Sequence, residues 1–110
     1  KHYPSYAFDL SDEALALLII ATKKVAKILD KTFPDVSRTG MFFEGFGVDH
    51  VHSKLSPMHG TGDMTKWAPI ENKQKVFFDN YPGYLSSHDF ERANDEELAQ
   101  LAALIRQNSQ

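Results

Sequence analysis

The apolar positions of this chain follow two periods. From Ser11 to about Lys31, the residues Leu15, Leu18, Ile19, Val25, Ala26 and Leu29, joined by Leu17 and Ile28, recur at helical spacing and predict a helix with a wide apolar stripe. Its ends agree with that reading. Ser11 is a good N-cap, Asp12 and Glu13 sit at the positive end of the helix dipole, and Lys23, Lys24, Lys27 and Lys31 crowd the negative end. Leu10 and Leu15 have the spacing of a hydrophobic staple, and Pro34 stops the helix. The lysines read as a solvated face matched to the dipole and not as a phosphate patch.

The period then changes from about 3.6 to 2. Thr39 to Phe46 predicts a strand with Met41, Phe43 and Gly45 on one side and Phe42, Glu44 and Phe46 on the other. Gly45 and Gly47 predict a tight turn or bulge into a second, antiparallel strand, where His50, His52 and Lys54 alternate with Val51, Ser53 and Leu55 up to Pro57. From His59 to about Asn80 periodicity is lost, and the stretch with His59, Thr61, Asp63 and Trp67 reads as a surface loop or a lid. A short strand is expected at Lys75 to Phe78 and a turn at Tyr81-Pro82-Gly83-Tyr84. A second helix opens at Asn94 with a capping box to Glu97, buries Leu98, Leu101, Ala102 and Ile105, and runs to about Gln107. The sum is one α+β domain over residues 1–110: a mainly antiparallel sheet, a long helix across it and a C-terminal helix.

Composition narrows the function classes. At 110 residues and 42% hydrophobic, the chain suits one domain with a core of its own. A net charge of -3 argues against a general nucleic-acid binder, which carries a basic stripe. The absence of cysteine excludes a disulfide framework and thiolate chemistry and agrees with a cytoplasmic location. No apolar run approaches the roughly 20 residues that a membrane helix needs.

The row His50, His52, Lys54 is the chemical centre of the sequence. On an extended strand these side chains stand about 6.5 Å apart at each step, close enough to line one anionic group without touching one another. A neutral imidazole, with a reference pKa of about 6.5, is a competent nucleophile toward phosphorus at neutral pH. Ser53 points to the opposite face and reads as a packing or hydrogen-bonding residue. Another reading stays open from the residues alone: His50 and His52 as two ligands of one zinc, with His59 or Asp63 completing the set. His2, ahead of Tyr3-Pro4, reads by composition as a terminal residue without a role.

The stretch His50-Val51-His52-Ser53-Lys54-Leu55-Ser56-Pro57 resembles the signature of the histidine triad (HIT) superfamily, His-φ-His-φ-His-φ-φ with φ apolar and proline often following. Lys54 takes the third histidine position and Ser53 one φ position. Glu44-Gly45 is similar to the family's Asn-Glu-Gly, with Phe43 in place of the asparagine. The connection Phe46-Gly47-Val48-Asp49 is shorter than the family's, which usually carries Gly-Gln-Ser or Gly-Gln-Thr. His2, before the first long helix, stands where the family has a histidine after a proline and basic residues. The resemblance covers the chain from His2 through Pro57.

The resemblance implies a HIT-like fold whose first strands, part of the nucleoside pocket, lie upstream of Lys1. It implies that His52 becomes transiently nucleotidylated, that the backbone carbonyl of His50 orients it, and that His2 contacts the phosphate or the leaving group. Lys54 then contacts phosphate as a point charge but does not alternate between donor and acceptor as histidine does. The superfamily's transferases carry glutamine at this position, so the outcome shifts between hydrolysis and transfer. The implied substrate is a nucleotide or dinucleotide conjugate, such as a dinucleoside polyphosphate or nucleoside phosphoramidate. No cofactor and no metal are implied, and the implied assembly is a homodimer. A non-catalytic nucleotide-binding module with a degenerate triad is the alternative.

Overall fold

The computed structural model describes residues 3–45, 47–66, 79 and 91–109. His2, Phe46, Trp67, the expected strand at 75–78 and the expected turn at 81–84 lie outside the described residues. The architecture is α+β. A 3-10 turn at Ala7–Asp9 leads into helix α1 (Asp12–Thr32), followed by strands β1 (Thr39–Glu44) and β2 (His52–Pro57) and helix α2 (Asp95–Asn108). The two strands form an antiparallel pair, α1 packs against both of them, and α2 packs against α1. No helix among the described residues is long and apolar enough to cross a membrane.

Local chemistry sets both helix starts. The Ser11 side chain accepts from the Ala14 amide at 3.3 Å. Asn94 Oδ1 accepts from the amides of Glu96 and Glu97 at 2.8 and 3.3 Å. Each bond satisfies an amide that has no partner within its helix. At the far end of α1, Phe33 donates its amide to the Leu29 carbonyl at 3.2 Å, and Pro34 prevents a further turn.

The buried side of α1 is narrower than its periodicity predicts. Leu15, Leu18, Ala26 and Leu29 are half-buried as expected, but Leu17, Ile19 and Val25 are exposed. The centre of the inward ridge is Thr22, 5% exposed. Its Oγ1 lies 2.8 Å from the Leu18 carbonyl and 2.8 Å from Ser53 Oγ on β2. A hydroxyl has one hydrogen, so Thr22 donates to the carbonyl and Ser53 donates to Thr22. Ser53 is therefore the hydrogen-bonding residue expected on the face opposite His52. On α2, Ala102 and Ile105 are half-buried while Leu98 and Leu101 are exposed, again a narrower contact than the pattern predicts.

Val36, 4% exposed, is the one buried apolar side chain among the described residues. Specific polar contacts therefore carry much of the register between helix and sheet. Thr39 Oγ1 donates to Asp30 Oδ1 at 2.8 Å and Lys27 Nζ lies 3.0 Å from Asp30 Oδ2, fixing the start of β1 to the last turns of α1. These bonds from Lys27 and then Thr39 hold the Asp30 carboxyl below its ordinary value, against partial burial. A carboxylate favoured in the folded state stabilises fully above its unfolded value of about 3.9, and that contribution fades as pH falls through the lowered folded value. Thr39→Val is expected to cost about 1 to 2 kcal/mol at neutral pH, read as a denaturant midpoint. Its stability should also fall less steeply than that of the unmodified chain below about pH 4, and parallel acid curves would refute the linkage.

The connection between the strands differs from the expected tight turn. Residues 47–51 form an irregular loop in which His50 donates its amide to the Val48 carbonyl at 2.7 Å and Val51 donates to the Pro4 carbonyl at 3.0 Å. The N-terminal segment thus runs along the loop. A Cβ on Gly45 would lie 2.4 Å from the Ser5 carbonyl oxygen and 2.8 Å from that of His50. Glycine is required there because two backbones meet, not because the chain turns.

Candidate functional site

Strand β2 begins at His52, not before His50 as the alternation predicts. His52 and Lys54 share one face, two residues apart, whereas His50 sits in the loop and is exposed. The loop brings the His50 ring back onto His52. Their ring centroids are 4.5 Å apart and their planes are inclined at 68°, an edge-to-face contact. An unbroken strand would have held them about 6.5 Å apart and out of contact. The amide of Val51 is already committed to Pro4, so the chain enters the ladder one residue later.

The hairpin register supplies residues that sequence alone does not pair with the histidines. Glu44 stands across from His52, and Phe42 across from Lys54. Lys54 Nζ is 2.6 Å from Glu44 Oε1 and 5.8 Å from the centroid of the Phe42 ring. Glu44, His52 and Lys54 are half-buried, so water screens this ion pair less than one on the open surface. The cation expected to face an anion on its own thus has a carboxylate beside it. Even-numbered spacing on β1 places Glu44 with Phe42, but only the register shows that this face meets Lys54.

Beyond His50 lies a cavity of about 500 Å³, bounded by Tyr3, Leu10, Ala14, Leu17, Leu18, His50 and Val51. Its walls come from the N-terminal segment, the first turns of α1 and the loop. The size lies within the usual range for small-molecule sites, about 300 to 1,000 Å³. His50 stands between this mainly apolar space and the imidazole of His52. Tyr3 enters the site through the bond from Val51 to Pro4, a contact between distant parts of the chain that no local pattern announces.

His59 is held elsewhere. Its Nδ1 lies 3.1 Å from Asp35 Oδ2, which also accepts from the Gly60 amide at 3.2 Å, and its ring meets Phe33 edge to face. The His59 bond, followed by the Gly60 amide, holds the Asp35 carboxyl below its ordinary value. Asp63 accepts from the hydroxyl and amide of Thr65 and pairs with Lys66, and these bonds lower its pKa as well. Among the described residues no group of three or more His, Cys, Asp or Glu side chains is placed to hold a metal ion. The structure brings together His50, His52, Lys54 and Glu44, and does not join His59 or Asp63 to them as a ligand set.

No family model, curated protein or solved structure matches the chain.

Proposed function

We propose that this chain is a HIT-type nucleotide hydrolase or nucleotidyl transferase that acts at the α-phosphate of a nucleotide conjugate through a covalent nucleotidyl-His52. The observation that carries the proposal is the edge-to-face contact of His50 and His52 between an apolar cavity and a cationic side chain. It supplies the three things the reaction needs: a held nucleophile, a place for an apolar part of the substrate, and positive charge on the nucleophile's own face.

In the first step an unprotonated ring nitrogen of His52 attacks the α-phosphorus. The P–N bond forms as the bond from phosphorus to the leaving group breaks, and the leaving group departs with the electron pair. In the second step water, or another acceptor hydroxyl, attacks phosphorus. The P–N pair returns to the imidazole and the proton of the attacking oxygen passes to solvent. His50 restricts the His52 ring through their contact, and Lys54 offsets charge that builds on the phosphate oxygens. His2 completes the proposed set as a phosphate or leaving-group contact. The proposed assembly is a homodimer and the proposed location cytoplasmic, with no cofactor in the scheme.

A second reading, a nucleotide-binding module without turnover, is favoured by the Lys54–Glu44 pair, because a neutralised lysine stabilises developing charge less. Mixing the protein with adenylated and guanylated conjugates, quenching in alkali and weighing the intact chain separates the two. The alkaline quench preserves an acid-labile phosphoramidate. A mass increase of one nucleotide, absent in His52→Ala, is expected. Binding with neither adduct nor turnover would leave only the module.

A further inference from the structure

The Lys54–Glu44 pair has a consequence for which phosphates the site accepts. We propose that Glu44 is a specificity-determining residue that makes the site select phosphates bearing one negative charge over dianionic monoesters; this rests on the reading of His52 as the nucleotidyl acceptor. Glu44 stands across the ladder from His52 and reaches diagonally to Lys54. Its side chain is 12% exposed and that of the lysine 33%, so the pair is set into the sheet face with the lysine the more open of the two. The Phe42 ring beneath the ammonium limits where the lysine can swing. A phosphate that reaches His52 therefore meets Lys54 together with its counter-ion.

The sign of the effect follows from charge. The pair sums to zero, so a phosphate gains Lys54 only by displacing the carboxylate or by lying next to it. Either route costs more for a phosphate with more charge: repulsion by Glu44 cancels an attraction to Lys54 that grows at the same rate, while the cost of taking the phosphate out of water rises more steeply than its charge and is left uncompensated. A phosphomonoester carries about -1.5 to -2 at pH 7, since its second pKa is about 6. The α-phosphate of a diester-like conjugate or a phosphoramidate carries a single charge. Glu44 thus admits the conjugate and weakens retention of the nucleoside monophosphate left after hydrolysis. A histidine triad reading of Lys54 alone, as a free phosphate-binding cation, would predict the opposite order.

The test compares the full chain, Glu44→Gln, Glu44→Gln with Lys54→Met, and Glu97→Gln, which removes the same charge from the exposed face of α2. The probes are adenosine and guanosine 5′-monophosphate and their methyl esters, titrated calorimetrically at pH 7.5. The unmodified chain is expected to bind the methyl ester more tightly than the monoester. Glu44→Gln should tighten the monoester about tenfold and the ester about two- to threefold, Glu97→Gln should move neither, and adding Lys54→Met should reverse the gain. An equal shift for both probes, a shift no larger than that of Glu97→Gln, or weaker monoester binding overturns the proposal. If Glu44→Gln does not fold, the carboxylate ¹³C resonance of Glu44 in the unmodified chain decides. It should move on monoester addition while that of Glu97 stays, and no movement overturns the proposal. Adduct formation at His52 is followed on the same protein samples with the adenylated and guanylated conjugates. An adduct without the Glu44 effect removes charge selection alone, and the Glu44 effect without an adduct removes the catalytic reading alone.

Discussion

His52→Ala is expected to lower turnover of nucleotide conjugates by about 10³-fold or more while leaving their binding within a few-fold. In the proposed reaction the side chain supplies the bond that divides the chemistry into two steps, and water held in its place would have neither its nucleophilicity nor its orientation. Binding should survive in that scheme because Tyr3, Leu10, Ala14, Leu17, Leu18 and Val51 line the cavity without the imidazole. The loss should therefore appear equally in kcat and kcat/KM, the pattern of a contribution made only in the transition state. Turnover that persists in His52→Ala would remove the covalent mechanism outright. A purified His52→Ala chain that fails to bind would instead place the histidine among the ligand-holding residues.

Gly45→Ala is expected to destabilise the fold by about 2 to 3 kcal/mol, the sum of an overpacked backbone contact and a weakened hydrogen bond. The added Cβ would fall 2.4 Å from the Ser5 carbonyl oxygen, and both obstacles nearest to it are backbone atoms that no side-chain rotation relieves. The strain is released most directly by lifting the N-terminal segment, which breaks the bond from Val51 to Pro4 and takes Tyr3 away from the cavity. It also moves His50, whose carbonyl lies 2.8 Å from the added atom. Stability and ligand binding should fall together. Gly47→Ala is the control, since a Cβ there meets nothing within 4 Å, and its cost should stay within about 0.5 kcal/mol. Equal denaturant midpoints for the two variants would show that the N-terminal segment does not lie against the loop in solution.

The two positions illustrate what was legible in the chain. Capping depends on groups within three residues of one another, so Ser11 and Asn94 mark the helix starts from sequence alone. Hydrophobic period gave the right element types but overstated their contacts. Thr22 counts as polar in any such pattern, yet it occupies the middle of the buried ridge because its hydroxyl bonds to the helix backbone and to Ser53. Alternation similarly puts His52 and Lys54 on one face and extends the strand two residues too far, to His50.

Residue order alone determined the α+β class, both helices, an antiparallel strand pair and the clustering of nitrogen-bearing side chains at 50 to 54. These follow from short-range effects: capping, the helix dipole, the 3.6- and 2-residue periods, and proline stops. Tertiary structure decided the rest. The approach of Ser5 to Gly45 and the bond between Val51 and Pro4 turn His50 out of the ladder and onto His52. The pairing register, which depends on the loop's path and not on the pattern of either strand, sets Glu44 beside Lys54. Contacts between residues tens of positions apart require the chain to close on itself, and no local period encodes which carboxylate a lysine will meet.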